Sequence, residues 1–141
     1  MTMPDDDVTQ VMGLPLPEAL TRAIGEGRWT ALQDSPHLAE VFGDEPDWPG
    51  FYDIESMPAM NRTLHAVSEA AEFPDLPHMD QGLSVTPRLT LLIGDLGADM
   101  PFALDYRLSM REPRVIYLGL QGWVEVAPNI EDLIARLRPP S

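Results

Sequence analysis

Residues 101–109 read PFALDYRLS, and their alternation decides the fold. Phe102, Leu104, Tyr106 and Leu108 fall on one side of an extended chain, with Ala103, Asp105 and Arg107 on the other. A period of two suits a strand with one face in a core. The flanking stretches RLTLLIG (88–94), PRVIYLGL (113–120) and GWVEVA (122–127) also read as strands. Short turn-forming segments separate them, so the expected arrangement is a four-stranded antiparallel meander.

Working outward, the period changes to that of helices. After the last strand, Asn129 stands as a cap, Glu131 and Asp132 occupy the first turn, and Ile130, Leu133, Ile134 and Leu137 form one apolar stripe. The RPPS tail (138–141) stops this helix. Toward the N-terminus, LPLPEALTRAIGEG (14–27) places Leu16, Leu20, Ala23 and Ile24 on one side behind Pro17. DSPHLAEVFG (34–43) repeats that grammar, with Ser35 as cap, Leu38, Val41 and Phe42 inward, and Gly43 as terminator. A brief extended stretch at 51–55 points Tyr52 and Ile54 the same way. The longest helix is expected over 57–73, where Met60, Leu64, Val67 and Ala71 recur at helical spacing between Ser56 and Pro74. The proline-rich stretch at 74–87 reads as a surface connection. The reading is an α+β fold: a curved antiparallel sheet of four to six strands packed against N-terminal, central and C-terminal helices. It forms a single domain over residues 1–141, with residues 1–10 flexible.

Composition removes several kinds of chemistry. The chain has no cysteine, and all nine of its basic residues are arginine, so thiol nucleophiles, cysteine zinc sites, phosphate-loop lysines and Schiff bases are excluded. The acidic start MTMPDDDVTQ lacks the charge pattern of a secretory signal, and no apolar run approaches membrane-spanning length, so a cytoplasmic protein is expected. A net charge of −14 repels phosphate backbones and anionic lipid, which argues against nucleic-acid and membrane partners and favours a basic protein.

LLIGDLGADMPFALDYR (91–107) carries three aspartates and two glycines between apolar runs. It fails the calcium-loop template and lacks the lysine of a phosphate cradle. A tight connection explains it instead, with Asp95 and Asp99 bonding to turn amides and Asp105 facing solvent beside Arg107. Asp99 and Asp105 form a carboxylate pair only if the hairpin folds them together, which leaves a hydrolase as a minor reading. His37, His65 and His78 are too scattered for a metal site, so neither a metal nor a cofactor is expected. Trp123 is read as a core anchor ahead of the alternative, an exposed anchor for a partner. The other aromatic patch is Trp48 and Tyr52, flanked by Asp44, Glu45, Asp47, Asp53 and Glu55, and aromatics ringed by acid suit a basic protein surface.

The segments LLIGDLGADMPFALDYR, PRVIYL and WVEVAPNIEDLIARL together resemble the C-terminal half of the SUKH superfamily, which includes bacterial toxin-immunity proteins and fungal regulators of cell-wall synthesis. The likeness covers about residues 88–138, and its elements are Ile93-Gly94, Leu104-Asp105, Trp123 and the Ala127-Pro128 junction into the closing helix. The resemblance implies an α+β fold without catalytic machinery, acting as an immunity protein that binds and neutralises a toxin domain of nuclease or deaminase type. A regulatory adaptor in a cell-wall or other housekeeping assembly is the alternative. With the charge argument, it makes Asp44, Glu45, Asp47, Trp48, Tyr52, Asp53, Glu55, Asp95 and Asp99 the candidate partner-binding residues for a basic toxin domain.

Overall fold

In the computed structural model, residues 9–62, 89–97, 100–119 and 122–137 are described. The chain begins with a small hairpin, β1 (Gln10–Val11) and β2 (Leu14–Pro15), paired through Val11 and Leu14. Its two-residue turn is Met12-Gly13, both at positive φ (55° and 82°), as a type I′ connection requires. Of the start expected to be flexible, residues 1–10, most lies outside the described residues. Just beyond it Val11 and Leu14 are buried, and the Tyr106 hydroxyl donates to the Pro15 carbonyl at 2.7 Å, tying the hairpin to the sheet.

Helix α1 (Glu18–Gly25) buries Leu20 and Ala23, and Gly27 at φ 75° turns the chain directly into α2 (Arg28–Ala31) and a 3-10 turn (Leu32–Asp34). The sequence reading did not expect α2, a four-residue helix whose apolar content is concentrated in the fully buried Trp29. Helix α3 (Leu38–Phe42) ends at Gly43, whose φ of 86° is the left-handed cap expected of it. Ser35 is expected to cap this helix, but the cap position falls on His37, which makes no side-chain cap bond. The Ser35 hydroxyl accepts the His37 amide at 3.1 Å ahead of the helix and donates to the Leu137 carbonyl at 2.6 Å, joining the segment to the C-terminal helix.

Strand β3 (Gly50–Phe51) precedes a helix, α4, described over residues 57–62. The helix begins directly after Ser56, as expected, and Asp53 closes the turn before it, its Oδ1 accepting the Ser56 amide at 2.9 Å. Met57 and Asn61 face inward and Met60 is 45% exposed, a rotation from the expected stripe. The rest of the predicted 57–73 helix lies outside the described residues, as do the 74–87 connection, His65 and His78.

The meander follows as β4 (Thr90–Asp95), β5 (Pro101–Asp105), β6 (Arg114–Gly119) and β7 (Gly122–Ala127), closed by α5 (Ile130–Leu137). With β3 added at one side, the sheet is five-stranded, antiparallel throughout and ordered β3-β4-β5-β6-β7. Irregularities between Leu92 and Gly94, and between Val115 and Ile116, break the register and favour local bending. The protein is thus an α+β fold with an open antiparallel sheet.

The alternation in β5 sorts its side chains between two clusters. Phe102, Leu104 and Tyr106 join the main core with the α1, α2, α3 and α5 residues, and Ala103 lies with Ile116 and Trp123 in a smaller cluster. Trp123 is therefore buried, as expected. Leu108 is 75% exposed because the strand ends at Asp105, before the pattern does. Asn129 caps α5 through the Asp132 amide at 2.8 Å.

Candidate partner-binding site

The loop between Phe42 and Phe51 carries Asp44, Glu45, Asp47 and Trp48, four of the nine candidate residues, and both of its ends are anchored in one aromatic cluster. Ring centroids lie 4.9 Å apart for Phe42 and Phe102, 5.0 Å for Phe51 and Phe102, 4.7 Å for Trp29 and Phe51, and 5.4 Å for Phe42 and Tyr117. Hydrogen bonds complete the exit: Trp29 Nε1 donates to the Tyr52 carbonyl at 2.9 Å, and the Phe51 amide to Gln33 Oε1 at 3.2 Å. The aromatic cluster gives this loop two fixed ends.

The middle of the loop is fixed against the end of β4. Gly50 pairs with Asp95 and Phe51 with Gly94, and the Asp47 amide donates to the Leu96 carbonyl at 2.6 Å. Gly97 packs so closely that a Cβ there would lie 2.4 Å from the Asp47 carbonyl oxygen, so only glycine allows this approach. Gly94 is equally constrained, since a Cβ would meet the Phe102 ring at 2.4 Å. These contacts join the two acidic segments, 44–55 and the turn at Asp95, which the sequence holds far apart. Asp99 lies outside the described residues.

Within this edge the candidate residues divide by what their side chains touch. Asp44 is half-buried and its Oδ2 accepts the Tyr117 hydroxyl at 2.6 Å. Asp95 is half-buried and its Oδ2 accepts the Tyr52 hydroxyl at 2.5 Å. Both tyrosines are pushed far above the usual phenol range, by burial first and then by the adjoining carboxylate. Asp53 is engaged in the turn that leads into α4, and its bonds to Ser56 hold its carboxyl below the ordinary range. Glu45, Asp47 and Glu55 are exposed and make no ion pair among the described residues.

Trp48 stands apart from all of these. Its side chain is 91% exposed, and its backbone has a φ of 72°, a region that a bulky residue rarely occupies. Because Asp47 is fixed by Leu96 and Gly97 on one side and Pro49-Gly50 leads into β3 on the other, the loop holds the indole away from the core rather than letting it fold back.

Asp105 requires a correction. The sequence reading set it facing solvent beside Arg107, whereas it is fully buried. Arg107 Nε and Nη2 donate to its two oxygens at 2.9 and 2.8 Å, and Arg114 Nε, from the neighbouring strand, adds a third bond at 2.8 Å. Burial alone would raise this carboxyl, but the two guanidiniums outweigh it and hold the group below its ordinary range. Both oxygens of Asp105 are thus engaged by arginine within the fold.

Among the described residues, no group of three or more histidine, aspartate or glutamate side chains is placed to hold a metal ion, and no helix is long and apolar enough to cross a membrane. A cavity of about 440 Å³ opens between the starts of α1 and α5, lined by Glu18, Arg111, Glu112 and Glu131 among others. Compared with known proteins, the chain matches no family model, no curated protein and no solved structure.

Proposed function

We propose that the protein is a non-enzymatic binding domain of the toxin-immunity kind, which neutralises a basic toxin domain of nuclease or deaminase type by direct contact in the cytoplasm. The observation that carries this reading is the indole of Trp48, 91% exposed on a loop fixed at both ends and in the middle, on an edge rich in carboxylates. Large aromatic side chains held in solvent by a rigid support are the usual anchors of protein interfaces. Glu45, Asp47 and Glu55 supply the surrounding negative charge, and the net charge of −14 extends that field over the molecule.

The resemblance to the SUKH superfamily supports the same reading, as does the physics of the opposing surface. A toxin that degrades or edits nucleic acid is cationic where its substrate binds, so an acidic inhibitor is drawn to that groove and blocks it. The test is co-expression. The open reading frame adjoining this gene is induced in a susceptible host with and without the protein. Growth arrest relieved by the wild type, and not by a variant carrying Glu45→Gln, Asp47→Asn and Trp48→Ala, is the expected outcome. Arrest undiminished by the wild type, or no arrest at all, overturns the proposal.

A further inference from the structure

Of the large apolar side chains exposed among the described residues, Trp48 is the most open to solvent, ahead of Leu108 at 75%. The chemistry around it selects one kind of occupant. The segment GDEPDWPGFYDIE (43–55) contains five carboxylates and no cation. The ion-paired arginines of the described residues are engaged elsewhere: Arg22 with Glu18, Arg28 with Glu26, Arg107 and Arg114 with Asp105, and Arg136 with Asp132. The indole therefore offers its electron-rich face from a segment whose nearest charges in sequence are all negative.

We infer that Trp48 is a stacking platform for a guanidinium, the side chain of an arginine on the surface of a basic protein. This deepens the function proposed above and rests on it for the partner's identity. An indole is the best aromatic face for a cation, and a guanidinium can lie flat on it while its edge N–H groups donate to carboxylates. Glu45 and Asp47 are exposed and without ion pairs among the described residues, so they can accept those bonds. A purely apolar occupant would strip water from these carboxylates with nothing in return. An ammonium is more strongly hydrated and lacks the planar fork, so lysine fits less well. The bonds from Asp47 to Leu96 and from Trp29 to Tyr52 hold the loop in place beforehand, which lowers the ordering cost of binding.

Octa-arginine peptide is the probe, with octa-citrulline as its uncharged isostere, titrated against the full chain at low and at moderate salt. Trp48→Leu keeps an apolar side chain and removes the ring, and Trp48→Phe keeps a weaker ring. The expected result is affinity reduced about fivefold to tenfold in Trp48→Leu, with Trp48→Phe between it and the wild type, and negligible binding of octa-citrulline. Because Trp29 and Trp123 are buried, a change in indole emission on adding peptide belongs to Trp48 and vanishes in Trp48→Leu. Equal affinity of the wild type and Trp48→Leu, or equal binding of the citrulline peptide, overturns the inference. The two proposals can fail separately. Growth rescue that survives Trp48→Leu leaves the immunity reading standing and removes the platform, whereas ring-dependent peptide binding without rescue does the reverse.

Discussion

The hydroxyl of Tyr52 donates to Asp95 Oδ2 at 2.5 Å, beside the backbone pairing of Gly50 with Asp95, so one side chain joins the acidic loop to the end of β4. The two residues lie 43 positions apart in the chain. Tyr52→Phe removes the donor and leaves a half-buried carboxylate without it, and a hydrogen bond to a charged group contributes about 1.5–3 kcal/mol. Urea denaturation should show a loss in that range. A loss below about 0.5 kcal/mol, the size of an ordinary surface substitution, would show that solvent replaces the bond.

All three tyrosines of the chain respond to alkali in the same direction. Tyr52, Tyr106 and Tyr117 are each raised by burial first, with Asp95 adding to the shift of Tyr52 and Asp44 to that of Tyr117. The folded state therefore favours the neutral phenols. Their contribution to stability is complete below the unfolded value of about 10 and is lost as pH rises through the higher folded values. An absorbance titration should show no tyrosinate near pH 10 while the fold persists, then ionisation together with alkaline unfolding. A tyrosine ionising near 10 in protein that keeps its native circular dichroism would contradict the buried hydroxyls.

These contacts mark where sequence reading succeeds and where it stops. The β5 alternation and the stripe of α5 are local periodicities, and they give the sheet, the closing helix and the burial of Trp123. Asp105 was misread because its neighbour Arg107 is visible in the sequence, whereas the second guanidinium, Arg114, arrives from the next strand only once the register is known. Similarly, the chain shows two acidic segments but not that β3 pairing joins them. Nor does it show that Asp44 and Asp95 are held by tyrosines while Glu45, Asp47 and Trp48 remain exposed. The β1–β2 hairpin escaped notice because two-residue strands carry no period.

Asp105 gives a test on the acid side. Asp105→Asn leaves Arg107 and Arg114 without the charge that both surround, and removing one partner of a buried ion pair costs about 3–5 kcal/mol. A depressed carboxyl contributes stability above its unfolded value, about 3.9, and loses it as pH falls through the lower folded value. The variant should therefore be far weaker than the wild type at pH 7, with the gap narrowing below about pH 4. A constant gap across that range would mean that the loss is steric rather than electrostatic.

The acidic edge should separate into folding and recognition. Asp44→Asn weakens the bond from the Tyr117 hydroxyl, at 2.6 Å, and is expected to cost about 1 kcal/mol of stability. Glu45→Gln and Asp47→Asn alter exposed groups, so stability should move by less than about 0.5 kcal/mol. The pair should instead slow association with a cationic partner at low ionic strength, an effect that fades as salt screens the charges. Stopped-flow association with the octa-arginine probe reads this directly. Rates unchanged at low ionic strength would remove Glu45 and Asp47 from the recognition surface.

Trp48 should carry a conflict between stability and binding. Its φ of 72° is unfavourable for a side chain with a Cβ, by about 1–2 kcal/mol, and its near-complete exposure means that little packing offsets the strain. Glycine adopts that conformation without the steric cost, although its greater freedom in the unfolded chain takes back part of the gain. Trp48→Gly is accordingly expected to raise stability by about 0.5–1 kcal/mol while weakening octa-arginine binding at least as much as Trp48→Leu does. Chemical denaturation and peptide titration of the same preparation measure both effects. A variant less stable than the wild type would show that the indole packs on the loop in solution, and the exposed platform would then be lost.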